Sequence, residues 1–588
     1  MSLGSLPRTS RGTLVIALLL FGAVGAEGQE DIAYGERVDV RVVNLDVLVL
    51  DKKGRPVYGL TQEDFNITED GRIVDVQFFN APSAPGKEPE PAASEPSRAA
   101  GQETERPVAE LVVLLDDLNL MGPARNRFLQ DLRQLLEGLE PLPPTLLLQR
   151  RRSLPILHGP TRDLDQLLAG LDGVGKPLAQ GTIVSTARVR TLDEIRVTID
   201  SCLSSGRELC PECFSDILTV INSYAIQQTS KVENVAAGLL GALGSMGVGQ
   251  SQRTLLYVGD GLPQIPGLPM FDYLGDMCPD RRGEALSEAL RYKQDRLFDE
   301  LGAIANASRV SLYLYDAGGL RTTTSSDVRT VSISAPGGNR EPGSTNTDFQ
   351  MGSDSITPTP SNDNYFNLNQ QAGMNALARA TGGRAIVNTN RALEPMQTMV
   401  EDRAARYSLA FSIDREATGR LHELRVSLRP GVAKGRSLRY RRSFLDMTAE
   451  GRLLQRLNAA LYAGAVSESF PVEVSFGEIE RLARKKRRVP VQISVPESAF
   501  TVLPGPPDGR PRGAARIALA STDERDRLSG YRQRILELGE GGVVPTAEGD
   551  FALVVSIDVE PGSRIFAVAV RDETTGETTL VRSTLEVP

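Results

Sequence analysis

Three stretches of the chain share one pattern, a short apolar run that stops on aspartate. Leu111-Val-Val-Leu-Leu115 is followed by Asp116 and Asp117. Thr254-Leu-Leu-Tyr-Val-Gly259 leads to Asp260, and Val310-Ser-Leu-Tyr-Leu-Tyr315 leads to Asp316. Short continuous apolar runs predict strands covered on both faces, as in parallel sheets wrapped by helices. Helical spacing fills the intervals. Phe128, Leu129, Leu132, Leu135, Leu136 and Leu139 mark one helix, and Thr161–Leu171 opens with Thr161 and carries Asp163 and Asp165 in its first turn. Further helices are expected at Val232–Leu243, Glu284–Ala305, Gln370–Ala380 and Ala392–Arg403. This alternation over residues 108–405 predicts a central, doubly wound, mainly parallel sheet. Right-handed crossovers bring its strand ends to one edge, where ligand chemistry collects. Asp116, Asp117 and Asp260 are therefore the candidate site residues.

Outside that region the period changes to two. Val38–Leu50 alternates, Asp70-Gly71 is a hairpin signal, and Ile73–Phe79 reads as the return strand, so residues 31–80 are expected to form a small β-sandwich module. Residues 81–107 are rich in Pro, Ala, Ser and Glu and read as a linker. Two insertions interrupt the α/β pattern, at 172–230, with helices of its own and three of the four cysteines, and at the polar stretch 321–367. Tyr407–Ile413, Leu421–Leu428 and Leu438–Phe444 alternate again and predict an antiparallel β extension over 406–445. Residues 465–588 carry further strand patterns and are expected to form a C-terminal β-sandwich. The fold class is thus multidomain α/β plus all-β.

The N-terminus changes the picture of compartment. Arg8 and Arg11 precede the apolar run Thr13–Gly22, and Ala23-Val-Gly-Ala26 offers small residues for cleavage, so residues 1–26 read as a signal peptide. The alternative is an uncleaved anchor, but the run is shorter than the roughly 20 residues a spanning helix needs. Cleavage removes two arginines and no acids, which moves the formal charge from −9 to −11. That sign argues against general nucleic-acid binding. Cys202, Cys210, Cys213 and Cys278 are an even set in an exported chain and favour disulfides, with three pairings open. Zinc binding or a redox-active Cys210-Pro-Glu-Cys213 is the competing reading.

Several stretches together carry a family resemblance. They are Val47-Leu-Val-Leu-Asp51-Lys-Lys-Gly-Arg-Pro-Val-Tyr-Gly-Leu60-Thr-Gln-Glu-Asp-Phe65, Glu69-Asp-Gly71, the strand ending at Asp116, Gly259-Asp-Gly261, Ala378-Arg-Ala-Thr-Gly-Gly383-Arg, Tyr407–Phe411, His422–Val426 and Arg439–Phe444. The chain resembles the bacterial von Willebrand factor A-related family over roughly residues 38–445. The resemblance implies an A-type domain whose sheet edge can hold a divalent cation completed by a partner's carboxylate. Mg²⁺ suits such a site of hard oxygen ligands. Asp116 stands where the first Asp of the family's Asp-x-Ser-x-Ser loop is expected, but Leu118 and Leu120 replace the serines. Asp260 matches the later Asp, and Thr182 is the candidate for the loop threonine.

Arg150-Arg-Arg152 reads as a solvated turn, with an anion patch at the sheet edge as the alternative, and Arg484-Lys-Lys-Arg-Arg488 reads as a solvated helix end, with attraction to an acidic surface or nucleic acid as the alternative. No His-Glu-x-x-His or Gly-x-Ser-x-Gly motif is present, and only His158 and His422 exist. The expectation is an exported, non-enzymatic protein–protein interaction or adhesion protein at the cell envelope or outside the cell. It has a degenerate cation site at Asp116, Asp117 and Asp260, a protein partner, and no membrane span after signal cleavage. The rivals are a metal-dependent hydrolase using the same three aspartates and a scaffold subunit with no ligand site.

Overall fold

The computed structural model describes residues 41–83, 109–151, 156–175, 181–246, 252–320, 360–413, 415, 417–463, 466–502, 513–523, 528–538 and 549–588. The expected signal peptide, nearly all of the 81–107 linker and residues 321–359 of the polar insertion lie outside the described residues.

In chain order, β1 (Arg41–Leu50), β2 (Phe65–Glu69), β3 (Arg72–Val74) and β4 (Phe78–Asn80) come first. The turn between β2 and β3 places Asp70 and Gly71 both at positive φ, 47° and 82°. This is the conformation for which Asp-Gly is suited in a two-residue hairpin.

The α/β unit follows, with β5 (Leu111–Leu115), α1 (Gly122–Glu137), β6 (Thr145–Gln149), β7 (Ile156–Thr161), α2 (Leu164–Gly175), α3 (Gly181–Ser204) and α4 (Phe214–Ser245). Next come β8 (Arg253–Gly259), α5 (Leu268–Met277), α6 (Arg282–Ala289), α7 (Asp295–Ala307), β9 (Val310–Asp316), α8 (Pro360–Thr381), β10 (Arg384–Ile386) and α9 (Leu393–Ala404). The sheet order is β10-β9-β8-β5-β6-β7, parallel throughout except for antiparallel β7 at one edge. Successive residues of β5 point to opposite faces. Leu111, Val113 and Leu115 pack with α1, α2 and α9, whereas Val112 and Leu114 pack with α4, α7 and α8. This two-sided burial is why the strands lack polar alternation.

Helix α4 belongs to two cores. Its second half lies on the sheet, while Phe214, Ile217 and Ile221 join Ile195 of α3 and Phe271 and Leu274 of α5 in a separate helical core. At about 1.5 Å per residue, its 32 residues span about 48 Å. The small-residue helix expected from residue 232 thus continues back through the expected insertion. The helix expected over 284–305 is instead two, α6 and α7, separated by a short 3₁₀ turn at Leu290–Tyr292. Disulfides join Cys202 to Cys213 and Cys210 to Cys278. Cys210 and Cys213 therefore sit in different bridges.

The chain then returns to β structure with β11 (Arg406–Ile413), β12 (Leu421–Leu428), the one-turn helix α10 (Pro430–Ala433), β13 (Ser437–Arg439) and β14 (Ser443–Leu445). These strands are not a separate extension. β1 pairs with β11, Val47 opposite Tyr407, and β2 pairs with β12, Ile67 opposite Val426. The two sheets, β13-β1-β11-β4 and β14-β12-β2-β3, enclose Leu45, Phe65, Ile67, Tyr407, Phe411, Leu424 and Phe444. The expected division into a 31–80 module and a 406–445 extension is corrected accordingly. Each half alternates apolar and polar and supplies only part of a core, so the halves bury their apolar faces against each other.

Helix α11 (Ala449–Ala463) leads to β15 (Glu473–Phe476), β16 (Glu480–Ala483), β17 (Lys486–Pro496), β18 (Gly513–Asp523), β19 (Leu528–Leu538), β20 (Asp550–Val559), β21 (Gly562–Asp572) and β22 (Thr578–Val587). β17 pairs with β15 and β16 on one side and β20 on the other, and the second sheet runs β19-β18-β21-β22. Val491, Ile493, Ile517, Phe551, Phe566 and Val568 fill the space between the sheets. Leu453, Leu457 and Ala460 of α11 cover the alanines of β18 and β21. The opposite side of α11 meets α4, where Gly244 allows Ala459 to approach closely. No described helix is long and apolar enough to cross a membrane.

Candidate functional site

The strand order reverses between β5 and β8, because β6 lies on one side of β5 and β8 on the other. Crevices at such a switch point, outside the carboxyl ends of the strands, are where open α/β sheets bind ligands. The register fixes what stands there. Leu115 is level with Gln149 of β6 and Val258 of β8. Asp116 therefore lies beside Arg150 and Gly259, with Asp117 and Asp260 one step further.

Asp116 and Asp117 are fully buried. Asp116 takes Arg150 Nη2 at 2.7 Å on Oδ1, and its Oδ2 accepts from Tyr257 OH at 2.8 Å and Asn119 Nδ2 at 2.6 Å. Asp117 takes Arg125 Nη1 at 3.0 Å on Oδ1, and Arg151 Nε at 3.2 Å with Gln149 Nε2 at 3.1 Å on Oδ2. Burial, with the Asp116 carboxylate next in weight, pushes the Tyr257 hydroxyl well above its usual range, so it stays a donor.

Two glycines make room for this network. A Cβ on Gly238 of α4 would stand 2.5 Å from Arg150 Cδ, and one on Gly259 would stand 2.2 Å from the Tyr257 hydroxyl. Gly261 holds φ at +73° with Gln370 packed against it, so the Gly-Asp-Gly turn lets α8 approach closely. Asp260 is partly exposed and acts electrostatically on Tyr257. Asp316 is buried at the end of β9, its Oδ1 accepting from Gly318 N at 3.1 Å.

The arrangement brings Asp116, Asp117 and Asp260 to one edge, but the two buried carboxylates are already matched by three guanidiniums. A divalent cation here would have to displace Arg150 from Asp116 and face Arg125 and Arg151 besides. Leu118 is half-buried, and Leu120 is wholly buried in the core over α1. Neither can supply the hydroxyls that a Mg²⁺ site needs. The side chain of Thr182 lies outside the described residues, as does Arg152. The residues present do not fit the cation that the family resemblance implies. Arg125, Gln149, Arg150, Arg151 and Tyr257 are the partners that sequence reasoning missed. Their signal was the basic run at the end of β6, one register step from Asp116.

Apolar side chains are exposed at the same edge. Met121 follows β5 and is 42% exposed, and Leu320 follows β9 and is 60% exposed. Leu262 N donates to Gln370 O at 2.6 Å, which sets residue 370 level with the loop after β8. Tyr365 and Leu368, 50% and 68% exposed, therefore lie beyond the strand ends on the first turns of α8.

No family model matches this chain, and no curated protein matches it. Among solved structures, it is similar to a structural-genomics target, SoR45, at 15% identity, covering 21% of this chain and 91% of that one with a TM-score of 0.14. It is similar to a β-glucuronidase of Bacteroides uniformis at 9% identity, covering 31% of this chain and 19% of that chain with a TM-score of 0.14. Dimeric latent PorU from Porphyromonas gingivalis is 11% identical over 31% of this chain and 13% of that chain, with a TM-score of 0.13. Likenesses this low carry no argument about function.

Proposed function

We propose that the chain is an exported, non-enzymatic interaction or adhesion protein built on a von Willebrand A-type domain, binding a protein partner at the carboxyl edge of its six-stranded sheet without a metal ion. The observation that carries this reading is the edge itself. Asp116 and Asp117 are neutralised from within by arginines, while Met121, Leu320, Tyr365 and Leu368 stand exposed around them. Exposed apolar groups gathered at one place on a soluble face mark contact surfaces. The strand order, the helices on both faces and the position of Asp116 and Asp260 support the A-type reading. The two disulfides support an oxidising compartment. The hydrolase reading is weaker, because both buried carboxylates are held in ion pairs and cannot ligate a metal without breaking them.

The test is retention of proteins from the cell-envelope fraction of the producing organism on the immobilised chain. The same retention is measured for Tyr365→Asp/Leu368→Asp and in the presence of a chelator. The expected result is a set of proteins retained by the parent, lost with the double variant and indifferent to chelation. Retention that requires Mg²⁺, Mn²⁺ or Ca²⁺, or that survives the double variant, overturns the proposal.

A further inference from the structure

The C-terminal sandwich carries a feature that its fold does not explain. Between residues 481 and 488 the chain has six cations and no acid: Arg481, Arg484, Lys485, Lys486, Arg487 and Arg488. This in a chain of net charge −9. The run is not the expected helix end: β16 and β17 form a hairpin with Arg484 and Lys485 at its turn, and every residue from 481 to 488 except partly buried Arg487 is exposed. Asp558 of β20 takes both Lys486, at 3.3 Å, and Arg488, at 3.1 Å. Arg481, Arg484, Lys485 and Arg487 form no ion pair among the described residues, although Arg487 Nη1 donates to the carbonyls of Ala483, at 2.9 Å, and Lys486, at 3.3 Å.

Two local choices work against stability. Arg481 and Arg487 are direct cross-strand partners, and like charges placed opposite are destabilising. The register also slips between Arg481 and Ala483, so Leu482 is the extra residue of a bulge and is 41% exposed. Bulges re-aim side chains at functional places. Protection of an edge strand against aggregation would explain one charge on β16. It does not explain the cations on β17, which pairs on both sides.

We infer that this hairpin docks on an anionic lipid surface, its unpaired cations lying over headgroup phosphates and Leu482 seated among them. Charge complementarity selects an anion. The exposed apolar residue on the strand leading into the cationic turn selects a bilayer over a soluble polyanion, since only the bilayer offers an apolar layer beneath its phosphates. This site lies on the C-terminal sandwich and is independent of the edge around Asp116.

The test is cosedimentation of the purified full chain with phosphatidylcholine vesicles, with and without phosphatidylglycerol, across a salt series. Binding is expected only to the phosphatidylglycerol vesicles and is expected to weaken as salt rises. Arg484→Ser/Lys485→Ser/Arg487→Ser should lower the partition coefficient on the order of 100-fold, at about fivefold per cation. Leu482→Ser should weaken binding while preserving its salt slope. The triple variant should unfold within a few degrees of the parent, because removal of a like-charge pair offsets loss of the Arg487 bonds to Ala483 and Lys486. Absence of parent binding at low salt overturns the inference, as does equal binding by the folded triple variant. Binding to heparin without binding to vesicles also overturns it, in favour of a polyanionic chain.

Discussion

An ionised carboxylate buried without a partner costs several kcal/mol, and the chain buries two of them side by side. Asp116 and Asp117 persist because Arg150, Arg125 and Arg151 reach them, with Tyr257, Asn119 and Gln149 filling the remaining acceptor positions. The pairing makes each member conditional on the others. Arg150→Gln should lower unfolding free energy by about 3–5 kcal/mol, since it leaves Asp116 buried with no cation beside it. The replacement Arg150→Met/Asp116→Leu should recover most of that loss. Urea unfolding of the three proteins measures both effects, and a single-variant loss under about 1 kcal/mol would mean that Asp116 is solvated and open to a cation. A second prediction concerns pH. Burial acts to raise Asp70, but the Glu423 N–H, His422 and Arg415 outweigh it and hold the carboxyl below its ordinary value of 3.8. A depressed folded value gives stability that is present above the unfolded value and lost as pH falls through the folded one. Asp70→Asn keeps a residue that tolerates the positive φ at this turn. Its stability profile should therefore be flatter than the parent's below pH 3.8, as read by urea midpoints over an acid series.

At the scale of elements, α4 joins the sheet to the helical core above it, and the two disulfides brace that core. The bridges differ in reach. Cys202–Cys213 closes a separation of 11 residues and Cys210–Cys278 one of 68. Loop-closure entropy predicts about 3 kcal/mol for the first and about 4 kcal/mol for the second. Replacing both cysteines of the longer bridge by serine should therefore lower the melting temperature more than the same change in the shorter one. Equal losses would mean that the helical core, not the cross-link, sets the stability of this region. The elements also show what a linear pattern can carry. β5, β8 and β9 are legible because burial on both faces leaves a continuous apolar stretch in each, with polar residues only toward the strand ends. The hairpin at Asp70-Gly71 is legible because its backbone demands those residue types. The continuity of α4 from residue 214 is not, because Phe214, Ile217, Ile221 and Tyr224 recur at helical spacing toward α3 and α5 while the second half faces the sheet, so the two halves read as separate helices. Arg150 and Arg151 read as a solvated turn, because nothing local distinguishes an arginine that faces water from one that faces an aspartate on the neighbouring strand. The pairing β1–β11 is equally hidden. Its partners are more than 350 residues apart, and only their shared need to cover one apolar face connects them.

The whole molecule is ordered by that long-range pairing. The α/β unit enters and leaves through one two-sheet core, so residues 109–404 are held at both ends by strands of the same sandwich. Helix α11 then ties the C-terminal sandwich back to α4 through the Gly244–Ala459 contact. The consequence can be tested by dissection. A fragment spanning 41–445 contains every strand of the first sandwich, whereas one spanning 109–445 lacks β1 to β4 and leaves Tyr407, Leu409, Phe411, Leu424 and Val426 uncovered. The shorter fragment should keep slow amide exchange in β5, β8 and β9, whose partners it retains, and lose it in β11 and β12. Its uncovered apolar strands should also drive aggregation. Adding residues 41–83 as a separate peptide should restore protection at Leu409 and Val426, because the register Val47–Tyr407 and Ile67–Val426 needs proximity and not covalent continuity. Protection of β11 in the shorter fragment alone would show that the strand is held by the α/β unit. The sandwich would then be an appendage to that unit and not the frame in which it is set.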